Sequence, residues 1–361
     1  MSAQPATIPS AVRPRPIVGD LIAYAVPRSN VPIDLWLDSN EGAQPSPMAL
    51  QALREIDPQR IRRYPDKSRA EQLIAAKLGL DPAGVILTAG GDDAIDRCCR
   101  AMLEPGRDII LPSPTFEMIE RSARIAGGSI VKIPWWKSEF PVGEVLARIT
   151  QRTAMIALVS PNNPTGAVIP LDSVQAIAQA APQALLLVDL AYIEFADEDI
   201  TREALQLPNA VIIRTFSKAL GCAGLRAGYA LGTPQTIGWL RAMGGPYPTS
   251  GPSLAIIEAL LESGVREDGY FEQVRRERAL LIDLAHGFEV GPHPSQANFV
   301  LIDAADSIAL RDSMAARGIA VRAFPGHPVL GRSVRITCPG CPRSFARLEA
   351  ALRQALEENL R

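Results

Sequence analysis

The chain has 361 residues, of which 47% are hydrophobic and 21% charged, and its 37 lysines and arginines nearly balance its 39 aspartates and glutamates. This length allows two substructures with a sizeable core, and the balanced charge argues against a nucleic-acid or anionic-membrane partner. The proline-rich start lacks the apolar core of a signal peptide and no apolar run could span a bilayer, so we expect a cytoplasmic protein. An odd number of cysteines, five, favours reduced thiols over a disulfide framework.

The predicted elements follow a regular order along the chain. Residues 1–45 are rich in proline and contain one candidate strand, IDLWLD, so we expect an arm that leads into a domain. Apolar runs then alternate with amphipathic stretches: GVILTAG precedes DDAIDRCCRAML, DIILPSP precedes FEMIERSARIAG, AMIALVSP precedes LDSVQAIAQAA, and ALLLVDLA and NAVIIRTFS follow. This alternation predicts an α/β fold with a mostly parallel sheet between helices.

After about residue 250 the pattern changes. Two long helical stretches, PSLAIIEALLESG and YFEQVRRERALLIDLAHGF, lead into the strand candidates NFVLID, IAVRAF and SVRITC and a last helix, SFARLEAALRQALEENLR. This order predicts a second, smaller α+β domain. We therefore predict an arm over residues 1–45 that joins the small domain, a large domain over 46–254 and a small C-terminal domain over 255–361.

Polar residues are concentrated in five segments that follow the apolar runs: AGGDDAID (89–96), SPTFEM (113–118), SPNNPTG (160–166), DLAY (189–192) and TFSKALGCAGLRAG (215–228). Ligands bind at such strand ends in an open parallel sheet. Gly91 and Asp92 begin a helix whose free N–H groups can bind phosphate, although a simple glycine turn is the alternative. Asp189 ends an apolar strand, where a carboxylate needs a cation or a donor unless it merely caps a turn.

Small residues surround Lys218, so desolvation is expected to favour its neutral amine, which is a nucleophile toward a carbonyl. Arg226 and Ser217 suit a phosphate. Taken singly, these residues could be ordinary surface charges or turn residues. Together the segments describe one ligand, with a phosphate, a flat ring at Phe116, a protonated ring nitrogen at Asp189 and an aldehyde at Lys218. Pyridoxal 5′-phosphate (PLP) fits that description.

In these motifs the chain resembles the fold type I, class II aminotransferases, and within them the histidinol-phosphate aminotransferase group. The similarity runs in order through LDSNEG, RRYPD, GGDDAID, PTFEM, SPNNPTG, DLAYIEF, RTFSKALGCAGLRAGYALG, PYPTSGP, QANFVL and VRIT. TFSKALGCAG is highly specific for this class, whereas PNNPTG occurs in many type I enzymes. The resemblance implies a PLP-dependent transaminase that acts on a small-molecule amino donor and a 2-oxo acid, as a homodimer with shared active sites.

The resemblance also implies roles for individual residues. Lys218 would bind the cofactor aldehyde and move the substrate proton, and Asp189 would keep the ring nitrogen protonated. Asn163 and Tyr192 would hydrogen-bond the ring oxygen O3′. The other cofactor contacts would come from Phe116, stacked on the ring, and from the phosphate ligands Gly91, Asp92, Ser217, Arg226 and, from the other subunit, Tyr64.

Substrate binding is implied for four residues. Arg335 in VRIT would bind the carboxylate of glutamate or 2-oxoglutarate, and Arg322 in VRAF would bind a substrate phosphate, with a solvated strand-end charge as its alternative. Tyr24 would lie near the same phosphate, and Asn163 near the substrate.

Several departures from the family pattern concern the substrate groups. Leu190 replaces the glutamate of the usual DEAY motif, NEGAQPSP replaces the usual NENP form, CPGCPRSF follows VRIT, and Tyr24 is not followed by the typical PG. They leave three alternatives open: an aminotransferase for aromatic or other amino acids, a PLP-dependent decarboxylase of the threonine-phosphate type, and a regulatory PLP-fold protein without turnover. The sequence shows no N-terminal helix-turn-helix, which argues against the regulatory alternative.

Cys338 and Cys341 form a single CxxC pair. Zinc would need a second pair or suitably spaced histidines, so we expect no metal and assign the pair to packing.

Overall fold

The computed structural model of the chain describes residues 15, 17, 31–42, 44–137, 139–264, 268–288 and 290–359. Its largest feature is a sheet of seven strands: β2 (Val85–Thr88), β3 (Asp108–Ser113), β4 (Ser129–Pro134), β5 (Thr153–Val159), β6 (Leu185–Asp189), β7 (Ala210–Thr215) and β8 (Gly228–Leu231). Their order is β2-β8-β7-β6-β5-β3-β4. Only β8 runs antiparallel to its neighbours β2 and β7; the other pairs are parallel. The predicted, mostly parallel sheet is confirmed.

Helices cover both faces of this sheet. They are α1 (Pro47–Arg54), α2 (Gln59–Arg62), α3 (Ser68–Leu78), α4 (Gly91–Met102), α5 (Glu117–Ala126), α6 (Val142–Ala147), α7 (Leu171–Ala180), α8 (Thr201–Ala204), α9 (Pro234–Ala242) and α10 (Gly251–Ser263), with 3-10 helices at Pro82–Gly84, Ile193–Phe195 and Ala223–Leu225. Every residue of β2, β5, β6 and β7 is buried. Strands enclosed on both faces need apolar side chains at successive positions, which explains the continuous apolar runs of the sequence.

A second sheet lies in the C-terminal part of the chain. It contains β9 (Gly291–Pro292), β10 (Phe299–Asp303), β12 (Arg322–Ala323) and β13 (Ser333–Thr337), in the antiparallel order β12-β13-β10-β9. The helices α11 (Asp268–Gly287), α12 (Ser307–Ala316) and α13 (Pro342–Asn359) pack with it around a separate apolar core.

The segment before α1 is joined to the C-terminal part through a two-stranded parallel sheet. In this sheet β1 (Leu35–Trp36) pairs with β11 (Ile319–Ala320). The exact limits of the arm and of the two domains stay a prediction. None of the described helices is long and apolar enough to cross a membrane.

Candidate active site

A cavity of about 340 Å³ opens at the carboxyl ends of the parallel strands β3, β5, β6 and β7. Most of the residues predicted to bind cofactor or substrate line it: Gly91, Asp92, Phe116, Asn163, Asp189, Tyr192, Ser217, Lys218, Arg226, Arg322 and Arg335. Most of these side chains follow the ends of separate strands of the seven-stranded sheet, whereas Arg322 and Arg335 come from the second sheet. Because parallel strands bring their carboxyl ends to one edge of a sheet, the topology gathers them at a single site.

Lys218 lies just beyond the end of β7, and its Nζ donates to the carbonyl oxygen of Ser39 at 2.9 Å. Burial, together with the positive charge of Arg335, lowers the pKa of Lys218 to about 8. Gly42 packs against the backbone of the same turn, where a Cβ would lie 1.8 Å from the Lys218 carbonyl oxygen. The amine is therefore held in place, and a large share of it is neutral at slightly alkaline pH, as a nucleophile toward an aldehyde requires.

Asp189 is the last residue of β6 and only 5% exposed. Its Oδ1 accepts from the backbone N–H of Ala191 at 3.0 Å, and no cation within the described ranges forms an ion pair with it. Burial raises the pKa of Asp189 to about 7. A buried carboxyl group at the floor of a cavity is matched by a cationic donor, so the protonated ring nitrogen of PLP fits this position.

A phosphate fits the cradle at the start of α4. Gly90 adopts φ 82°, and a Cβ there would lie 2.9 Å from the guanidinium of Arg226. Arg226 itself adopts φ 49° and pairs with Asp92 at 3.3 Å, with its side chain 56% exposed toward the cavity. Ser217 is buried beside Thr215, whose hydroxyl donates to the Ser217 oxygen at 3.0 Å. Free N–H groups at a helix start, a hydroxyl and a guanidinium form a donor set suited to a phosphate dianion.

Two arginines of the second sheet line the cavity. Arg335 on β13 donates to Asn163 Oδ1 at 2.5 Å and to the carbonyl oxygen of Asp38 at 2.6 Å. Arg322 on β12 is its partner in the antiparallel register. Since the Asn163 oxygen accepts from Arg335, the amide NH₂ of Asn163 is left to donate elsewhere.

Sequence reasoning missed the segment 38–40 as a source of functional contacts. Besides the contacts of Asp38 and Ser39, Asn40 donates from Nδ2 to the Tyr192 hydroxyl at 3.0 Å. Three consecutive residues thus each touch one of the residues Arg335, Lys218 and Tyr192. The asparagine and glutamate of LDSNEG were a visible signal, but the spacing of about 180 residues to Lys218 concealed the contact.

Four further residues that line the cavity were also missed. They are Glu117, at the start of α5, and Phe324, His327 and Leu330 from the loop between β12 and β13. His327 Nδ1 accepts from the backbone N–H groups of Val329 and Leu330 at 3.2 and 3.0 Å, which fixes the ring, and burial lowers the pKa of His327. No motif in this loop distinguishes it from an ordinary turn.

Two predicted residues do not line the cavity. Tyr64 is 81% exposed and stacks on Tyr247, with 4.6 Å between the ring centroids. Tyr24 lies outside the described residues. Tyr64 is not a lining residue of the cavity in its own chain, so its predicted role depends on a second copy.

The chain is similar to known proteins over most of its length. The model of the family described as aminotransferase class I and II matches residues 32–352. A histidinol-phosphate aminotransferase of Xylella fastidiosa strain Temecula1 is 33% identical over 89% of each chain, and an aromatic amino acid aminotransferase of Corynebacterium efficiens is 34% identical over 85% of this chain and 90% of that one. The solved structure of histidinol-phosphate aminotransferase from Sinorhizobium meliloti in complex with pyridoxal-5′-phosphate is 27% identical, covers 96% of this chain and 98% of that chain, and has a TM-score of 0.83.

Proposed function

Since the chain belongs to the class I and II aminotransferases and is a PLP-dependent transaminase, we propose that it transfers an amino group between histidinol phosphate, or a closely related amine, and 2-oxoglutarate. The observation that carries this proposal is the pairing of two arginines, Arg322 and Arg335, on the substrate side of a cavity that holds Lys218. A substrate with one anionic group needs one such cation. A second arginine fits a reaction between two substrates, of which one carries a phosphate and the other carries carboxylates.

PLP, when bound, supplies an aldehyde and an electron-withdrawing ring. We assign Lys218 Nζ to covalent attachment and to moving the proton at the substrate α-carbon, which its lowered pKa favours. Asp189 would hold the proton on the ring nitrogen. The phosphate would be bound by Ser217, Arg226 and the N–H groups of Gly91 and Asp92, and Phe116 would cover the ring face.

Asn163 and Tyr192 are assigned to the ring oxygen O3′. The Asn163 NH₂ is available because its oxygen accepts from Arg335. Arg335 therefore links substrate binding to cofactor binding: the guanidinium that would hold a carboxylate also orients an amide that would touch the ring.

An aromatic amino acid is the second candidate substrate. Phe324 and Leu330 give the cavity two apolar lining residues, which would form a wall for such a side chain, and the C. efficiens relative is named an aromatic amino acid aminotransferase. An aromatic side chain would use this wall and would not need Arg322.

We further propose that the enzyme is a cytoplasmic homodimer. Tyr64 and Tyr247 stack on each other and are 81% and 51% exposed, and Ile61, three residues before Tyr64 in the chain, is 69% exposed. A second copy would cover such exposed aromatic and apolar side chains. In that dimer Tyr64 would reach the phosphate of the partner's cofactor.

The experiment that tests the substrate is a half-reaction assay. The PLP-loaded protein is mixed with L-glutamate, histidinol phosphate, histidinol or L-phenylalanine, and loss of the yellow absorbance with formation of pyridoxamine phosphate is followed. We expect histidinol phosphate to react at least tenfold faster than histidinol at low concentration, because only the former can pair with Arg322. Equal rates for these two amines, with faster phenylalanine, would favour the aromatic substrate instead.

Variants test whether one side chain, Arg322, causes the preference for histidinol phosphate over histidinol. Arg322→Ala is expected to remove the preference for histidinol phosphate and to leave phenylalanine unaffected. Arg332→Ala is a matched control, because Arg332 lies in the same region, outside the cavity lining, and donates to the carbonyl oxygen of Ala304. A loss of preference in both variants would contradict the assignment.

A further inference from the structure

Asn40 is held by two hydroxyl groups, and this arrangement fixes which end of its amide faces the cavity. The backbone N–H of Asn40 donates to Thr337 Oγ1 at 3.2 Å, and the Thr337 hydroxyl donates to Asn40 Oδ1 at 3.1 Å. The amide NH₂ is therefore directed at the Tyr192 hydroxyl, 3.0 Å away. Asn40 and Thr337 are 1% and 2% exposed, so water does not compete for these bonds.

The direction of this last bond has a consequence for Tyr192. An amide NH₂ can only donate, so the Tyr192 oxygen accepts and its own proton is left for another acceptor. Burial raises the pKa of Tyr192, which keeps the proton on the phenol at neutral pH. The ring is itself fixed, because it packs edge-on against Phe299 with 5.3 Å between centroids.

We propose that Asn40 is a positioning residue that sets the direction of the Tyr192 hydroxyl, so that this hydroxyl donates its proton into the cavity toward the oxygen O3′ of the cofactor ring. The inference rests on the proposed function, since it uses the assigned contact between Tyr192 and the ring. Thr337 acts indirectly, because its hydrogen bonds with Asn40 prevent the Asn40 amide from rotating by about 180°.

Replacing Asn40 by aspartate reverses the direction of the hydrogen bond with Tyr192 and leaves the shape of the side chain nearly unchanged. A carboxylate accepts only, so the Tyr192 hydroxyl would turn to donate to it and would no longer donate to the ring. The backbone of Asn40 has φ 52°, a conformation that asparagine, aspartate and glycine tolerate well. Asn40→Asp is therefore the main variant, and Asn40→Gly is a second one that removes the side chain without backbone strain.

The readout is the pH at which the absorbance of the lysine-bound cofactor changes. A hydrogen bond donated to the ring oxygen stabilises its negative charge most when the nitrogen that joins Lys218 to the cofactor has lost its proton. In Asn40→Asp the Tyr192 hydroxyl no longer donates to the ring. The pH midpoint of the absorbance change should therefore rise by about one pH unit, a tenfold change in the ionisation constant. Asn40→Gly should raise it by about half as much, since the hydroxyl is then free to rotate.

A double-mutant comparison separates this role from a general structural one. In a Tyr192→Phe background the hydroxyl is absent, so Asn40→Gly should cause no further shift of the midpoint, and Asn40→Asp should cause only the part of its shift that its added charge produces. Thr337→Ser retains the hydroxyl and should leave the midpoint unchanged, whereas Thr337→Val should shift it in the same direction as Asn40→Gly. The melting temperature of each cofactor-free variant is recorded beside the titration.

The proposal is overturned if neither Asn40 variant moves the midpoint in the parent protein, or if the shift caused by Asn40→Gly persists when Tyr192 is phenylalanine. A persistent shift in Asn40→Gly would instead report a general loosening of the site. A parent protein that takes up PLP but does not transaminate would contradict the proposed function alone, because the titration requires only the lysine-bound cofactor.

Discussion

Replacing Asp189 by asparagine should stabilise the cofactor-free protein at alkaline pH while weakening its hold on the cofactor. Asp189 is buried and meets no cation among the described residues, so its pKa is raised from 3.8 to about 7. The folded state therefore keeps a proton on this group that the unfolded chain has already released. The contribution of Asp189 to stability is fully present below pH 4 and is lost progressively as pH rises to about 7.

The size of this loss of stability follows from the difference in the pKa of Asp189 between the unfolded and the folded state. A difference of about three pKa units corresponds to roughly 4 kcal/mol at 1.36 kcal/mol per unit. Asparagine does not ionise and its amide oxygen can still accept from the N–H of Ala191, so Asp189→Asn avoids the loss. We expect the variant and the parent to be similar in free energy of unfolding at pH 4, and the variant to be more stable by several kcal/mol at pH 8.

Urea denaturation of the cofactor-free proteins at half-unit steps between pH 4 and pH 8 measures this difference. Asp172→Asn is a suitable control, since Asp172 lies in the first turn of α7, outside the cavity lining. With PLP bound the parent should be the more stable of the two proteins, because in the proposed site the protonated ring nitrogen would pair with the ionised Asp189 and the variant would lack that pair. A free-energy difference that stays constant between pH 4 and pH 8 would refute the assignment of the raised pKa to Asp189.

Three further predictions follow from the site. Lys218→Ala should abolish the covalent attachment of PLP, measured as retention of the cofactor after borohydride reduction, and all transamination, while leaving the melting temperature within a few degrees; an active variant would overturn the assignment. Because the pKa of Lys218 is lowered to about 8, the rate at which the cofactor-free protein binds PLP covalently should rise with a midpoint near pH 8, and a midpoint near pH 10 would contradict it. Arg335→Ala should raise the KM for glutamate and 2-oxoglutarate by roughly 10- to 100-fold, as expected for loss of a charge-assisted hydrogen bond, with Arg332→Ala as control; unchanged glutamate kinetics would refute its role.

The strand and helix pattern was largely predictable from sequence because most strands of the large sheet are buried on both faces. The strand β4 was not predicted, and it lies at the edge of the sheet with several exposed or half-exposed residues. An edge strand of mixed exposure has no continuous apolar run to reveal it. Strand β8 was not predicted either, since its four residues lie in the glycine-rich motif that contains Lys218 and Arg226.

The sequence by itself was enough to predict the residues Lys218, Asp189, Asn163 and Arg226, which line one cavity, because each lies in a short motif at the end of a predictable element. Only the tertiary structure decided what surrounds them. IAVRAF, predicted as one strand, divides into β11, which pairs with β1, and β12, which pairs with β13. That division places Arg322 opposite Arg335. Likewise, the contacts of Asp38, Ser39 and Asn40 join residues 150 to 300 positions apart. Local propensity acts over a few residues, whereas the choice of pairing partner depends on packing summed over distant parts of the chain, and no short motif contains that information.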